Sequence, residues 1–213
     1  MEFGSLLHAV GELECFDLPL LVQVFQQPRE SIRVQLSRWV RQGKVVGLRR
    51  GMYALGTAYR RAALTAPRLS NLLYRPSYLS GLWALGFYDF IPEHVAWLTS
   101  VTTRVAKRFE NPLGVFDYRN LRREAFFGYH SVEYAGREVL LAEPEKALLD
   151  HWHLAPGEWT PPRLAEMRYQ NLERIDPDRL LAYAERLHSP RLARSARRLL
   201  RLFAEQEKGT RTL

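Results

Sequence analysis

Residues 28–55 read PRESIRVQLSRWVRQGKVVGLRRGMYAL, and the fold follows from how this stretch is divided. Pro28 suits the first position of a helix and Gly43 suits its C-terminal cap. Between them Ile32, Leu36, Trp39 and Val40 recur at helical spacing and predict one buried stripe. At the helical advance per residue, Glu30, Val34, Ser37, Arg38 and Arg41 lie across from that stripe, and Arg29 and Arg33 flank it, so the outward face is cationic. The helix is followed by Lys44-Val45-Val46-Gly47-Leu48-Arg49, a turn at Arg50-Gly51, and Met52-Tyr53-Ala54-Leu55. A β-branched run, a glycine able to take positive φ, and a second run predict a hairpin. Upstream, residues 5–13 and 18–25 carry apolar residues at helical spacing, with Asp17 placed to cap the second segment. Three helices followed by a hairpin predict a winged helix-turn-helix over residues 6–58. The opening Met1-Glu2-Phe3-Gly4-Ser5 reads like translated cloning sites and is given no structural role.

Charge singles out the same stretch. The chain has 213 residues and a formal net charge of +8. Residues 29–61 hold nine basic side chains against one acid, Glu30, whereas the remainder after Arg61 is nearly balanced. Such an excess points to a polyanionic partner, here double-stranded DNA. A helix in the major groove reads base edges while phosphate contacts hold its register. The candidate contacts are Arg29, Ser31, Arg33, Val34, Ser37, Arg38, Arg41 and Lys44 from the helix and its end, with Arg49 and Arg50 from the hairpin tip. A second candidate cluster, Arg104, Lys107 and Arg108, is expected on a loop, where it would meet nucleic acid or a partner.

Residues 59–75 are polar around Pro67 and read as a linker to a second domain over 76–213. There, 77–87 reads as a helix behind Pro76, and 95–103, 115–119, 126–134 and 137–141 read as strands of a mixed sheet, the last two joined through Ala135-Gly136. Helices are expected at 143–152, 161–171, 176–187 and 190–205. The fold class is therefore α+β, with a helical C-terminal end.

Other chemistries find little support. One cysteine, Cys15, excludes an intramolecular disulfide framework and a Cys-rich zinc module, and it fits a reducing, cytoplasmic setting. No apolar run reaches the roughly 18 residues of a membrane helix. Phosphate-loop, dinucleotide, zincin and nucleophile-elbow patterns are absent from the sequence, so no cofactor, metal or catalytic residue is expected. His151 and His153 stand two apart, which on a helix turns them away from a shared metal. A competing reading makes the second domain a nucleic-acid-processing enzyme using Glu143, Glu145 and Lys146, although Pro144 occupies the position where a nuclease motif needs an acid.

Eight short segments carry a resemblance. They are 49–53 (RRGMY), 76–80 (PSYLS) with 84–86 (ALG), 91–93 (IPE), 99–103 (TSVTT), 108–111 (RFEN), 116–119 (FDYR), 126–129 (FFGY) and 143–150 (EPEKALLD). In this order they resemble the AbiEi-type antitoxins of type IV toxin-antitoxin systems. The resemblance implies an N-terminal winged helix that represses its own operon at inverted repeats. It also implies a C-terminal antitoxin domain that opposes a co-encoded nucleotidyltransferase toxin without a stable complex. The chain departs from the family pattern at Asn120, where many relatives carry histidine after Tyr118-Arg119. A regulator without antitoxin activity, and a module that binds the toxin directly, are the alternatives.

Overall fold

The computed structural model describes residues 1–61 and 63–210, with side chains through residue 205. The fold is α+β, with nine α-helices and two sheets among the described residues. It begins with α1 (Phe3–Val10), β1 (Phe16–Asp17), α2 (Leu18–Phe25), α3 (Arg29–Arg41), β2 (Val45–Arg49) and β3 (Met52–Leu55). Asp17 caps α2, its carboxylate accepting from the Leu20 amide at 3.0 Å. Gln26, at φ 50°, turns the chain into α3, and Pro28 takes the position just before that helix rather than its first residue. At the other end Gly43 adopts φ 69°, and the Gly43 and Lys44 amides bond back to the Val40 and Trp39 carbonyls. This is the paired closure that favours glycine. Ile32, Leu36 and Trp39 are buried with Leu6, Leu18, Leu21, Val45 and Leu55. Val40 instead stays 38% exposed, because it lies about 80° around the helix from Ile32, at the rim of the stripe. The opening residues do contribute to the fold, since Phe3 starts α1 and packs edge-on against Trp39 and Tyr59.

The antiparallel sheet β1-β3-β2 is covered on both sides. Val45, Tyr53 and Leu55 meet the three helices, whereas Leu48, Met52 and Ala54 join the larger core of the rest of the molecule. Residues 59–75, read from sequence as a linker, instead contain α4 (Ala66–Leu73), with Leu69, Leu73, Ser70 and Asn71 buried. Their polar side chains are satisfied inside. Ser70 donates to the Pro67 carbonyl, while Asn71 both accepts from the Leu140 amide and donates to its carbonyl. Beside them Arg68 holds Glu14 with both forks of its guanidinium and also reaches the Glu138 carbonyl at 2.8 Å. The Arg68 and Glu14 side chains are only 26% and 15% exposed, so this pair is worth more than a surface ion pair. Arg68→Ala is expected to cost about 2 kcal/mol in urea unfolding.

The second sheet comprises β4 (Ser77–Leu79), β5 (Leu98–Thr102), β6 (Lys107–Asn111), β7 (Gly114–Asn120), β8 (Tyr129–Tyr134) and β9 (Arg137–Ala142), in the order β6-β7-β5-β4-β9-β8. It is mixed, with parallel pairing at β4/β9 and β5/β7. The expected helix over 77–87 is corrected to strand β4 followed by the short α5 (Gly81–Phe87), with Gly81 at φ 58° marking the break. Residues 126–128 precede β8 and lie outside it, Gly128 turning the chain at φ 67°. The helices α6 (Pro144–Leu154), α7 (Pro161–Glu166), α8 (Pro177–Arg186) and α9 (Pro190–Thr210) follow, the last among the described residues. The third-last helix region, expected over 161–171, stops early, and Arg168 and Asn171 at positive φ carry the chain into the next helix. Among the described residues no helix is long and apolar enough to cross a membrane.

Candidate nucleic-acid interface

The fold sets α3 with its apolar stripe inward, which leaves Arg29, Ser31, Arg33, Val34, Ser37, Arg38 and Arg41 exposed. Arg33, Val34, Ser37 and Arg41 line one groove of about 460 Å³. Its opposite side is the small sheet, where Gly47 offers no side chain and Tyr53 stands as a wall. Arg38 and Ser31 lie on the far side of the helix crest from this groove. Arg33 is held by Glu30 at 3.0 Å, but both side chains are more than half exposed, so the pair leaves the arginine accessible. Arg41 makes a long bond at 3.5 Å to the Ser37 carbonyl, and Val34 is 48% exposed. Cations, a hydroxyl and an exposed methyl pair thus share one surface, the combination a base-reading helix needs.

Two sequence-selected cations leave this surface. Arg49 turns to the other part of the molecule, where its Nε donates to the Leu73 carbonyl of α4 at 2.8 Å and its Nη1 reaches the Arg50 carbonyl at 3.4 Å. The hairpin is clasped there as well by Asn111, which donates to the Leu48 carbonyl at 3.0 Å. Lys44 is partly buried, with its ammonium 5.1 Å from the centre of the Phe3 ring. Arg50 remains exposed at the hairpin tip.

The second cluster is not one surface. Arg104 is on a loop, stacked 4.2 Å above the Tyr74 ring, but Lys107 and Arg108 belong to strand β6. Alternation along a strand sends them to opposite faces. Lys107 stands near Tyr74 and Phe109, whereas Arg108 stands 5.5 Å from the Trp97 ring.

Sequence reading missed a buried polar cluster in the segment around Lys146. Lys146 and Asp150, one helical turn apart on α6, pair in the core at 0% and 1% exposure. The Lys146 ammonium also donates to the Tyr78 hydroxyl at 2.9 Å, and Ser80 donates to Asp150 at 2.7 Å. Tyr78 donates to Asp150 at 3.1 Å, and burial first, then the Asp150 charge, pushes its phenol well above the ordinary range. The lysine and aspartate spacing was the available signal. Glu145, 1% exposed, accepts from the Asp176 amide at 2.8 Å, and Glu143 accepts from the Tyr183 hydroxyl. Of the trio Glu143, Glu145 and Lys146, two side chains are therefore committed to the interior, and Glu143 is partly buried beside Tyr183. Among the described residues no group of three or more His, Cys, Asp or Glu side chains is placed to hold a metal ion.

His151 follows this cluster, and burial, then the nearby Arg163 charge, pushes it down to about 4. Unfolded, it titrates near about 6.5. Between these values the unfolded chain binds a proton that the folded one refuses, so stability is full above the higher value and is lost as pH falls through the lower. The loss is about 3 kcal/mol. His151→Gln is expected to reduce the difference in urea-unfolding free energy between pH about 7 and about 4 by that amount; an unchanged difference refutes the assignment.

Neither a scan against models of protein families nor a search of curated proteins finds a match to this chain.

Proposed function

We propose that residues 6–58 form a winged helix-turn-helix that places α3 in the major groove of double-stranded DNA, and that the protein represses its own operon as the antitoxin of a type IV system. The observation that carries the DNA reading is the outward face of α3, where Arg29, Arg33, Arg38 and Arg41 are exposed around Val34 and Ser37. The helix order, with a short strand before α2 and the sheet order β1-β3-β2, supports the winged assignment. Arg50 serves as the tip contact, and Arg49 acts as a clasp between the hairpin and α4.

The antitoxin role rests on the family resemblance. Two of its segments, 76–80 and 143–150, meet in the Tyr78, Ser80, Lys146 and Asp150 cluster, so their likeness supports a common fold more directly than a common chemistry. The partner in this reading is a nucleotidyltransferase toxin in the cytoplasm, opposed without a stable complex.

Fluorescence anisotropy of the full chain on DNA from upstream of its own gene, against a shuffled duplex of equal length, tests the DNA role. A preference of about a thousandfold near physiological salt is expected. Equal affinity for the two duplexes would remove sequence-specific repression. Sequencing the adjacent reading frame and co-expressing its product tests the antitoxin role: a nucleotidyltransferase whose toxicity this protein relieves is the expected result, and a toxic one that it does not relieve removes the role.

A further inference from the structure

The mixed sheet offers a surface that the DNA reading does not use. Register places Thr99 of β5 beside Asp117 of β7, and Asp117 beside Arg108 of β6, while Arg119 follows two residues on along the same face. This face opens into a concavity of about 360 Å³, walled on its inner side by the C-terminal end of α6, including His151 and Leu154. Trp97 stands at its mouth and is 50% exposed, whereas Trp39, Trp152 and Trp159 are each 4% exposed or less. The Arg108 guanidinium sits over the Trp97 ring, 5.5 Å from its centre, and Arg119 approaches Asp117 at 3.7 Å, a loose contact that leaves donors on its guanidinium to spare. His151 has a buried Nε2 without a partner among the described residues. Its ring is uncharged near neutral pH, since burial holds its pKa down to about 4.

These groups suit one chemistry. An exposed indole is a platform for a planar ring, and two guanidiniums against one carboxylate leave a net positive charge beside it. Planar forks recognise phosphate oxygens with two bonds each. The concavity is the size of a small-ligand site and too small for the groove-filling contacts of a duplex. We propose that this shelf binds a nucleoside phosphate, with the base stacked on Trp97, the phosphate held by Arg108 and Arg119, and the sugar or base edge against Thr99 and His151. The ligand is either a free mononucleotide or the terminal nucleotide of a single strand. The site lies on the sheet and is independent of α3, so it stands or falls separately from the DNA reading.

Calorimetric titration of the full chain with adenosine monophosphate, a short single-stranded oligoadenylate and inorganic phosphate tests this. Adenosine monophosphate is expected to bind and inorganic phosphate to bind at least about tenfold more weakly, because it lacks the stacked ring. Trp97→Ala and the pair Arg108→Ala with Arg119→Ala should each weaken nucleotide binding about tenfold, with Trp97→Phe restoring most of the loss. The α3 pair Arg33→Ala with Arg41→Ala should leave it unchanged. These side chains are at the surface, and an unaltered thermal midpoint shows that the fold is retained. Equal affinity for mononucleotide and oligonucleotide identifies the free nucleotide as the ligand; a tighter, more salt-sensitive oligonucleotide whose excess affinity is lost in Trp97→Ala and kept in the α3 pair identifies a strand end. The proposal is overturned if neither binds, if inorganic phosphate binds as tightly as the nucleotide, or if Trp97→Ala binds as well as the parent.

Discussion

Asp150→Ala is expected to destabilise the protein by about 3 to 5 kcal/mol in urea unfolding, a large share of the stability of a typical domain. Asp150 accepts bonds from Lys146, Tyr78 and Ser80 while 1% exposed, and it ties α6 to the strand β4 and the turn after it. Without the carboxylate the Lys146 ammonium stays in the core with the Tyr78 hydroxyl as its one remaining hydrogen-bond partner among the described residues and the Phe127 ring 5.1 Å away. An uncompensated buried charge costs far more than the ion pair itself contributes, because the pair's attraction largely offsets its own desolvation. The sign of the coupling follows. Lys146→Met combined with Asp150→Leu removes both charges and should be markedly more stable than Asp150→Ala alone, by about 2 kcal/mol or more. Tyr78 keeps the Phe127 carbonyl at 3.4 Å as an alternative acceptor in that double variant. If the single variant lost less than about 1 kcal/mol, the cluster would not be the anchor between helix and sheet.

How much of this could be read beforehand depends on whether a segment's periodicity had one solution. In α3 it did, because Ile32, Leu36 and Trp39 fit only a helix with one buried side, and the exposed cations followed by angle. The β8–β9 hairpin was equally legible, since Ala135 and Gly136 take φ 49° and 75° in the two-residue turn that such a pair favours. By contrast Ser77, Tyr78 and Leu79 are all buried, and a central strand covered on both faces has no alternation to distinguish it from helix. Strand β6 was hidden for the opposite reason: Lys107, Arg108 and Glu110 make a polar edge that reads as loop. The polar run around Pro67 makes α4 look like linker, because the partner that satisfies Asn71, the Leu140 backbone, is visible only in three dimensions. The same limit applies to the candidate site. The local sequence places Arg49 at a hairpin tip, but the Leu73 carbonyl that draws it away is 24 residues distant. Alternation from Val95 puts Trp97 inside a strand, whereas β5 begins at Leu98 and leaves the indole at the edge of the shelf.

Replacing Arg33, Arg38 and Arg41 together with alanine is expected to weaken binding to upstream DNA about a thousandfold, near 4 kcal/mol. If all three meet phosphates, the slope of log affinity against log salt should fall by about three, since each neutralised phosphate contributes close to one. A smaller fall, with altered sequence preference, marks the arginines that meet base edges instead. The fold should be indifferent, because Arg33 and Glu30 are an exposed pair and Arg38 and Arg41 project from the surface. Arg49→Ala should show the reverse pattern, with a lower unfolding free energy, from the lost bond to Leu73, and a salt slope close to that of the parent. The two variants therefore separate a cation displayed to solvent from one spent on holding the hairpin against α4. A triple variant that keeps both the parental affinity and the parental slope would show that α3 is a solvated basic face, and the positive charge of residues 29–61 would then need a different partner.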